Sequence, residues 1–455
     1  MSTKANVKNN AVAPAPNSII LSKNHYLNLD RSISGLNSNV LAIGSAGTGK
    51  SYAFVRPNLK QMNGNYVVTD CRNELYKYVA DDFKKKGYKV EIIDFKNVSG
   101  AHYNPFQYLN TESIDTISHD IKEIVDIIIT ETELRNITAQ KDTESDSYLT
   151  NFEKVILEIL MLHTYVQHGT SASFVSLIQT LKRLADAEDL YAEYKLLLDE
   201  IEAKYPCSQI GKTASEKHAY VTVANLSFKN VIVSLAVRLT PFQYYYVDKN
   251  HARKTRDELD LKQLLTKKYA LFINFSDYDL MMRPLEAVLM YQIIRVLMTG
   301  GKNNMPVQFV LDEFSNFGEI PDFDKVMSVS SFYNMSFLVM IQSFEQLKHV
   351  YKEKFATIMN CFDTIVNFGI FSLYDIDYLL KLYGNEIIVP EPSQKLTLGM
   401  KLRLWLKEKI VGTENMHYVR AFRAEELRQM DMKYCIVSKR GEKPVLDEKY
   451  WPDKK

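Results

Sequence analysis

The apolar positions fall into two kinds of run. Short, largely apolar runs read as buried strands: Val40–Ile43, Tyr66–Thr69, Lys89–Phe95, Tyr269–Phe275, Val307–Leu311, Phe337–Met340, Thr364–Phe368 and Cys435–Ser438. Longer segments with apolar residues three and four apart read as helices. They lie at Gly49 to about Leu59, Glu74–Lys86, Pro284–Met298 and Asp322–Ser330. Strands that alternate with helices predict a parallel sheet with helices on both faces, an α/β protein. Between Thr111 and about Tyr205 the pattern is helical and almost free of Gly and Pro, with helices expected at Ile114–Thr130, Tyr148–Val166, Ser173–Ala185 and Glu188–Lys204, and further helix over Lys217–Thr240. The expected organisation is therefore a leader (1–24), a first α/β part (25–112), an all-α insertion (113–247) and a second α/β part (248–455). No internal repeat is present.

Composition narrows the picture. The chain has 455 residues, 46% hydrophobic and 24% charged, so it is neither disordered nor collagen-like. Lys+Arg number 56 and Asp+Glu 55, a net charge of +1, which excludes a globally basic nucleic-acid binder and leaves only locally concentrated charge or a ring of subunits. The four cysteines, Cys71, Cys207, Cys361 and Cys435, form no CxxC pair and argue against a disulfide framework or structural zinc. No apolar run reaches the roughly 20 residues a membrane-spanning helix needs. The polar, Ala-Pro-containing first 18 residues lack a signal-peptide core. HExxH and GxSxG motifs are absent.

The chemistry centres on Gly44-Ser45-Ala46-Gly47-Thr48-Gly49-Lys50-Ser51, which fits GxxxxGK[ST] between a strand and a helix. Its glycines let successive N–H groups face a phosphate. Lys50 reaches the β- and γ-phosphates, and the Ser51 hydroxyl is a ligand for Mg²⁺. The matching acids are Asp312 and Glu313 at the end of Val307–Leu311. Asp312 is expected to hold Mg²⁺ through water and Glu313 to position and polarise attacking water. Gln342, ending the next strand, is the candidate sensor of the γ-phosphate. A Gly-rich surface turn, solvated acids and a polar strand end are the bland alternatives.

These residues resemble the coupling proteins of type IV secretion and conjugation, the TraG/TrwB-type DNA-transport ATPases, in the form found in Gram-positive conjugative elements. The resemblance rests, in order, on GSAGTGKS (44–51), YVVTD (66–70) with Glu74, GYKVEIIDF (87–95), HYNPFQY (102–108), LDEFSNFGEIPDF (311–323), IQSFEQLKHVY (341–351), IMNCFDTIVNFG (358–369), RAFRAEELRQMD (420–431) and CIVSKRGEKPVLDEKY (435–450). It implies a RecA-like P-loop NTPase domain, mainly parallel in its sheet and interrupted by an all-α domain. It also implies ATP and Mg²⁺ as cofactors and assembly into a ring, commonly a hexamer. The implied partners are the relaxase–DNA complex and accessory proteins, single-stranded DNA, the channel ATPases of the secretion system and a membrane anchor protein. The implied location is the cytoplasmic face of the cell membrane, with the chain as given soluble and its anchor elsewhere.

Three departures from the family pattern stand out. The usual transmembrane helices are missing from this sequence. Pro-Lys-Gly-Glu after Asp70 is replaced by Cys71-Arg72-Asn73-Glu74, which keeps a positive charge and loses the glycine. The arginines often found before the strand after LDEF are Ser331 and Tyr333 here, so an arginine finger acting in trans has to come from elsewhere. Arg420, Arg423 and Arg283 are the candidates. Without a finger, hydrolysis falls by about 10³-fold or more, which leaves a nucleotide-gated docking scaffold for relaxase and accessory proteins as the alternative to a DNA translocase.

Three further features have bland readings as their first choice. Lys401, Arg403, Lys407 and Lys409, with Leu402, Leu404, Trp405 and Leu406, form a basic helix face or else a membrane or DNA contact. Lys84–Lys86 and the run Arg253-Lys254-Thr255-Arg256 read as solvated surface. Phe242-Gln243-Tyr244-Tyr245-Tyr246 reads as a helix end packed in a core rather than a base-stacking surface.

Overall fold

The computed structural model describes residues 17–133, 144–205, 228–246, 257–276, 278–300, 305–388 and 417–451. The basic stretch 401–409 and the run 253–256 lie outside them. Two compact units divide the chain. The first comprises residues up to Asn58, Ile341–His349 and Phe362 onward; the second comprises Leu59–Met340 and Val350–Cys361.

The strands, in chain order, are β1 (Ser18–Ile20), β2 (Tyr26–Asn28), β3 (Val40–Ile43), β4 (Asn65–Thr69), β5 (Lys89–Asp94), β6 (Ser99–Gly100), β7 (Tyr269–Asn274), β8 (Val307–Leu311), β9 (Met335–Ile341), β10 (Thr364–Asn367), β11 (Asn385–Ile388), β12 (His417–Arg420), β13 (Tyr434–Lys439) and β14 (Val445–Glu448).

In the first unit, β10 pairs parallel with β3, β13 antiparallel with β10, and β14 antiparallel with β13. All four residues of β3 are fully buried, as an uninterrupted Val-Leu-Ala-Ile run with both faces covered requires. Residues Ser18–Ile20 form a strand pair with Tyr26–Asn28. β1 runs antiparallel to β2, and the Asn58 side chain binds both the amide and the carbonyl of Ile20. The cause is an apolar triplet, Ile19-Ile20-Leu21, too short to register as an element by periodicity and too apolar to stay in water.

In the second unit, β9, β8, β4, β7 and β5 pair parallel in that order, and β6 closes the edge antiparallel to β5. Helices Glu74–Lys85 and Arg283–Thr299 belong to this unit. So do all the described residues from 114 to 246 that form α-helix: Ile114–Glu133, Glu144–His168, Phe174–Ala185, Leu190–Lys204, Phe228–Arg238 and Thr240–Tyr246. Local signals start them. Ser173 and Ser176 make a reciprocal cap, and the Asp189 carboxylate accepts from the amides of Tyr191 and Ala192.

Apolar packing joins these helices, together with a buried ionic knot. Arg238 pairs with the fully buried Glu153 at 2.7 Å and donates to Thr132 Oγ1 at 2.7 Å, tying three helices together. The motif HYNPFQY is the attachment point of the helical segment. The Tyr246 hydroxyl donates to Tyr103 O (2.7 Å), Asn104 Nδ2 donates to Ala172 O (2.8 Å), and Gln292 Nε2 donates to Pro105 O (2.9 Å). Most of the aromatic run packs inward, with Phe242 stacked on Phe174 at 4.2 Å and Tyr245 and Tyr246 buried, but Tyr244 is exposed. Among the described residues no helix is long and apolar enough to cross a membrane.

Candidate functional site

The phosphate loop leaves the end of β3. Gly44 is there because nothing larger fits: a Cβ on it would lie 2.6 Å from Thr48 Oγ1 and 2.9 Å from Phe368 Cβ. Gly49 has φ +88°, a backbone setting that L side chains rarely adopt, and the Trp451 ring lies over it. Between them the loop is held by its neighbours. Ser45 N–H donates to Gly369 O (2.8 Å), Gly44 N–H to Ile341 O (3.2 Å), and Thr48 Oγ1 to Ser45 O (2.8 Å).

Lys50 is nearly buried, and its ammonium donates to Gly44 O at 2.5 Å and to Ser45 O at 3.3 Å. The amine expected to meet phosphate is thus stationed on the loop itself. The helix expected from Gly49 to Leu59 begins at Ser51 as a π-helical turn (Ser51–Val55) before becoming α-helical over Arg56–Gln61. Such widened turns concentrate at functional sites.

Two features of this unit were not assigned a role from sequence. Lys449, on the residue after β14, is 1% exposed and donates to Thr48 O and to Phe368 O, both at 2.9 Å. Burial is the main force lowering its pKa, to about 8, with the nearby Lys50 adding to the effect and Cys435 and Asp431 opposing it. Asp375 binds the segment that follows Gln342. Its Oδ1 accepts from Phe344 N–H (2.9 Å) and Ser343 Oγ (3.1 Å), and burial raises its pKa. Neither carries a local sequence signal. Lys449 lies within the family-like stretch 435–450, the one hint the sequence holds.

The acidic pair sits in the second unit. Asp312, 7% exposed, follows β8, and its carbonyl accepts from Thr69 Oγ1 at 2.9 Å. Glu313 is left-handed, φ +51°, and its N–H donates to Asp312 Oδ1 at 3.2 Å. A non-glycine residue in that region costs of order 1–3 kcal/mol and is typical of sites where a side chain is aimed for function. Asp312 is thus buried and Glu313 partly exposed at the strand end. Asn73, at the position of the family's lost glycine, is also left-handed (φ +56°), so the turn glycine usually serves is kept by the side chain that tolerates it best.

The three arginines differ. Arg283 is half-buried and donates to Asn316 O at 3.2 Å, so it braces the loop that follows Glu313 within its own chain. Arg423 is exposed, and its backbone N–H is held by the Glu426 carboxylate at 2.8 Å, at the start of helix Ala424–Arg428. Arg420 lies in β12.

A glycine-rich loop between a buried strand and a helix, with a lysine folded onto it, defines the class: a P-loop NTPase. The chain matches the family model of type IV secretory system conjugative DNA transfer over residues 3–451, and it belongs to that family. No curated protein sequence matches it significantly. Its structure is similar to the bacterial conjugative coupling protein TrwBdeltaN70 in an unbound monoclinic form, with 12% identity, 97% of this chain and 91% of that one covered, and a TM-score of 0.65. The plasmid coupling protein TrwB in complex with ADP and Mg²⁺ matches at 13% identity, 97% and 91% coverage and a TM-score of 0.64. TrwB with the GTP analogue GDPNP matches at 13%, 96% and 90%, with a TM-score of 0.65. At these identities the likeness shows the fold, which is α/β and RecA-like.

Proposed function

We propose that this chain is the ATP-driven coupling protein of a conjugation system. On this reading it recruits a relaxase–DNA complex and moves single-stranded DNA toward the secretion channel as a ring, commonly a hexamer, at the membrane. The observation that supports it is the family match over residues 3–451, on a chain whose phosphate loop is built as nucleotide binding requires.

The loop amides and Lys50 bind the nucleotide's phosphates. The Ser51 hydroxyl and the buried Asp312 carboxylate are each hard oxygen donors of the kind Mg²⁺ takes. Once bound, Mg²⁺ neutralises charge on the transferring phosphoryl group. Glu313 orients water, Gln342 reports the state of the γ-phosphate, and Arg423, exposed, is the arginine best placed to act on a neighbouring subunit. The all-α insertion (113–247) is the docking module for relaxase and accessory proteins, between α/β parts at 25–112 and 248–455. The trwB relatives solved with ADP and Mg²⁺ or GDPNP support the choice of ligand.

The second reading is a nucleotide-gated scaffold with little hydrolysis. It is favoured by Ser331 and Tyr333 in place of the arginines and by Arg283 being engaged with Asn316. The test is ATP turnover with and without single-stranded DNA over a range of protein concentrations, with Lys50→Ala as the blank. DNA-stimulated turnover that rises steeply with concentration supports the motor. Binding without turnover under every condition supports the scaffold.

A further inference from the structure

We propose that Lys449 is a positioning residue for nucleotide binding, an ammonium that sets the curvature of the phosphate loop by gripping its outer, carbonyl side. The inference rests on the nucleotide-binding reading above.

A phosphate loop binds anions because its amides point inward, so its carbonyls must point elsewhere and find other partners. Here two lysines supply them. Lys50 takes the carbonyls of Gly44 and Ser45. Lys449 takes Thr48 O and, with the same ammonium, Phe368 O. Phe368 is not a passive neighbour. Its N–H donates to Ile43 O, and the next residue, Gly369, accepts Ser45 N–H. One charged group therefore bolts the far end of the loop to the segment that already holds its near end. The 434–448 hairpin delivers it: Lys449 N–H donates to Lys433 O. Trp451, two residues on, covers Gly49 and pairs with the Tyr52 ring at 5.6 Å.

Charge-assisted bonds of this kind are about twice as strong as neutral ones. The groups facing the ammonium are Lys50 on the loop, Cys435 and Asp431 from the hairpin side, and the Phe368 ring at 5.4 Å. Among the described residues no carboxylate is in contact with it, so the charge rests on carbonyl dipoles and is given up near pH 8, while an arginine in its place would keep its charge.

The experiment measures Kd for Mg-ADP on the full chain by calorimetry from pH 7 to 9.5, for wild type, Lys449→Arg and Lys449→Met. Wild-type affinity is expected to weaken about tenfold or more as pH rises through about 8. Lys449→Arg is expected to bind without that alkaline loss, and Lys449→Met to bind about tenfold more weakly at pH 7.5 with a flat profile. A Lys449→Met protein that binds as tightly as wild type, or a Lys449→Arg profile that falls as wild type does, overturns the proposal. If Lys449→Met does not fold, the wild-type and arginine profiles decide between the same outcomes. Absence of any binding by wild type at pH 7.5 sinks the nucleotide reading and this proposal with it, whereas binding that ignores residue 449 sinks the proposal alone.

Discussion

Asp375 holds Phe344: its carboxylate accepts the Phe344 amide at 2.9 Å and the Ser343 hydroxyl at 3.1 Å, fixing the backbone directly after Gln342. The carboxylate comes from helix Leu373–Tyr383, 31 residues after Phe344 in the chain. If Gln342 senses the γ-phosphate, the firmness of that helix decides how well it does so. Asp375→Ala leaves a buried amide without its acceptor, a loss of about 1–3 kcal/mol. Turnover is expected to fall about tenfold with ATP affinity changed less than threefold, read from steady-state kinetics alongside nucleotide titration.

Gly44 offers a sharper test of the loop. A methyl there meets Thr48 Oγ1 and Phe368 Cβ, neither of which is the far end of a flexible chain. Gly44→Ala is expected to cost about 1–3 kcal/mol and to abolish nucleotide binding while the protein stays folded. Thermal melts with and without Mg-ATP check it: the ligand-induced rise in Tm disappears.

Glu313 and Arg423 separate chemistry in one chain from help by the next. Glu313→Gln is expected to bind ATP and to lose at least 100-fold in turnover. Arg423→Ala is expected to lose turnover with binding intact, and mixing the two variants is expected to restore part of it, because a mixed ring pairs an intact glutamate with an intact arginine. No recovery on mixing would remove Arg423 from the role.

Lys449 also makes a prediction about stability, opposite in sign to its effect on binding. Its pKa is about 8 folded, against 10.5 for the free side chain. Between those values the unfolded chain binds more protons, so its contribution to stability rises with pH from about 8 and is lost as pH falls through it. The difference in Tm between wild type and Lys449→Met is expected to move in favour of wild type by roughly 2 °C or more between pH 7.5 and 9.5.

The central strands were legible because each is a short apolar run cut off by a polar or glycine residue, as at Ile43–Gly44 and Leu311–Asp312. The loop and the acid pair were legible because their chemistry is local. β14 was not: Val445 and Leu446 are exposed, so it is a strand by virtue of pairing with β13 and not by its own pattern. The short helices Phe344–Tyr351, Phe355–Asn360 and Leu373–Tyr383 give too few turns for a period to stand out. Lys449 and Asp375 escaped for a different reason. Their partners lie far along the chain, and no spacing rule reaches that far.

The bond from Lys449 to Thr48 joins residues 401 positions apart. On a ribosome adding about 5–20 residues per second, residue 449 follows residue 48 by roughly 20–80 seconds. For that interval the glycine-rich segment exists without its clamp. A chain cut short by a premature stop carries every letter of the motif and still lacks the part that shapes it.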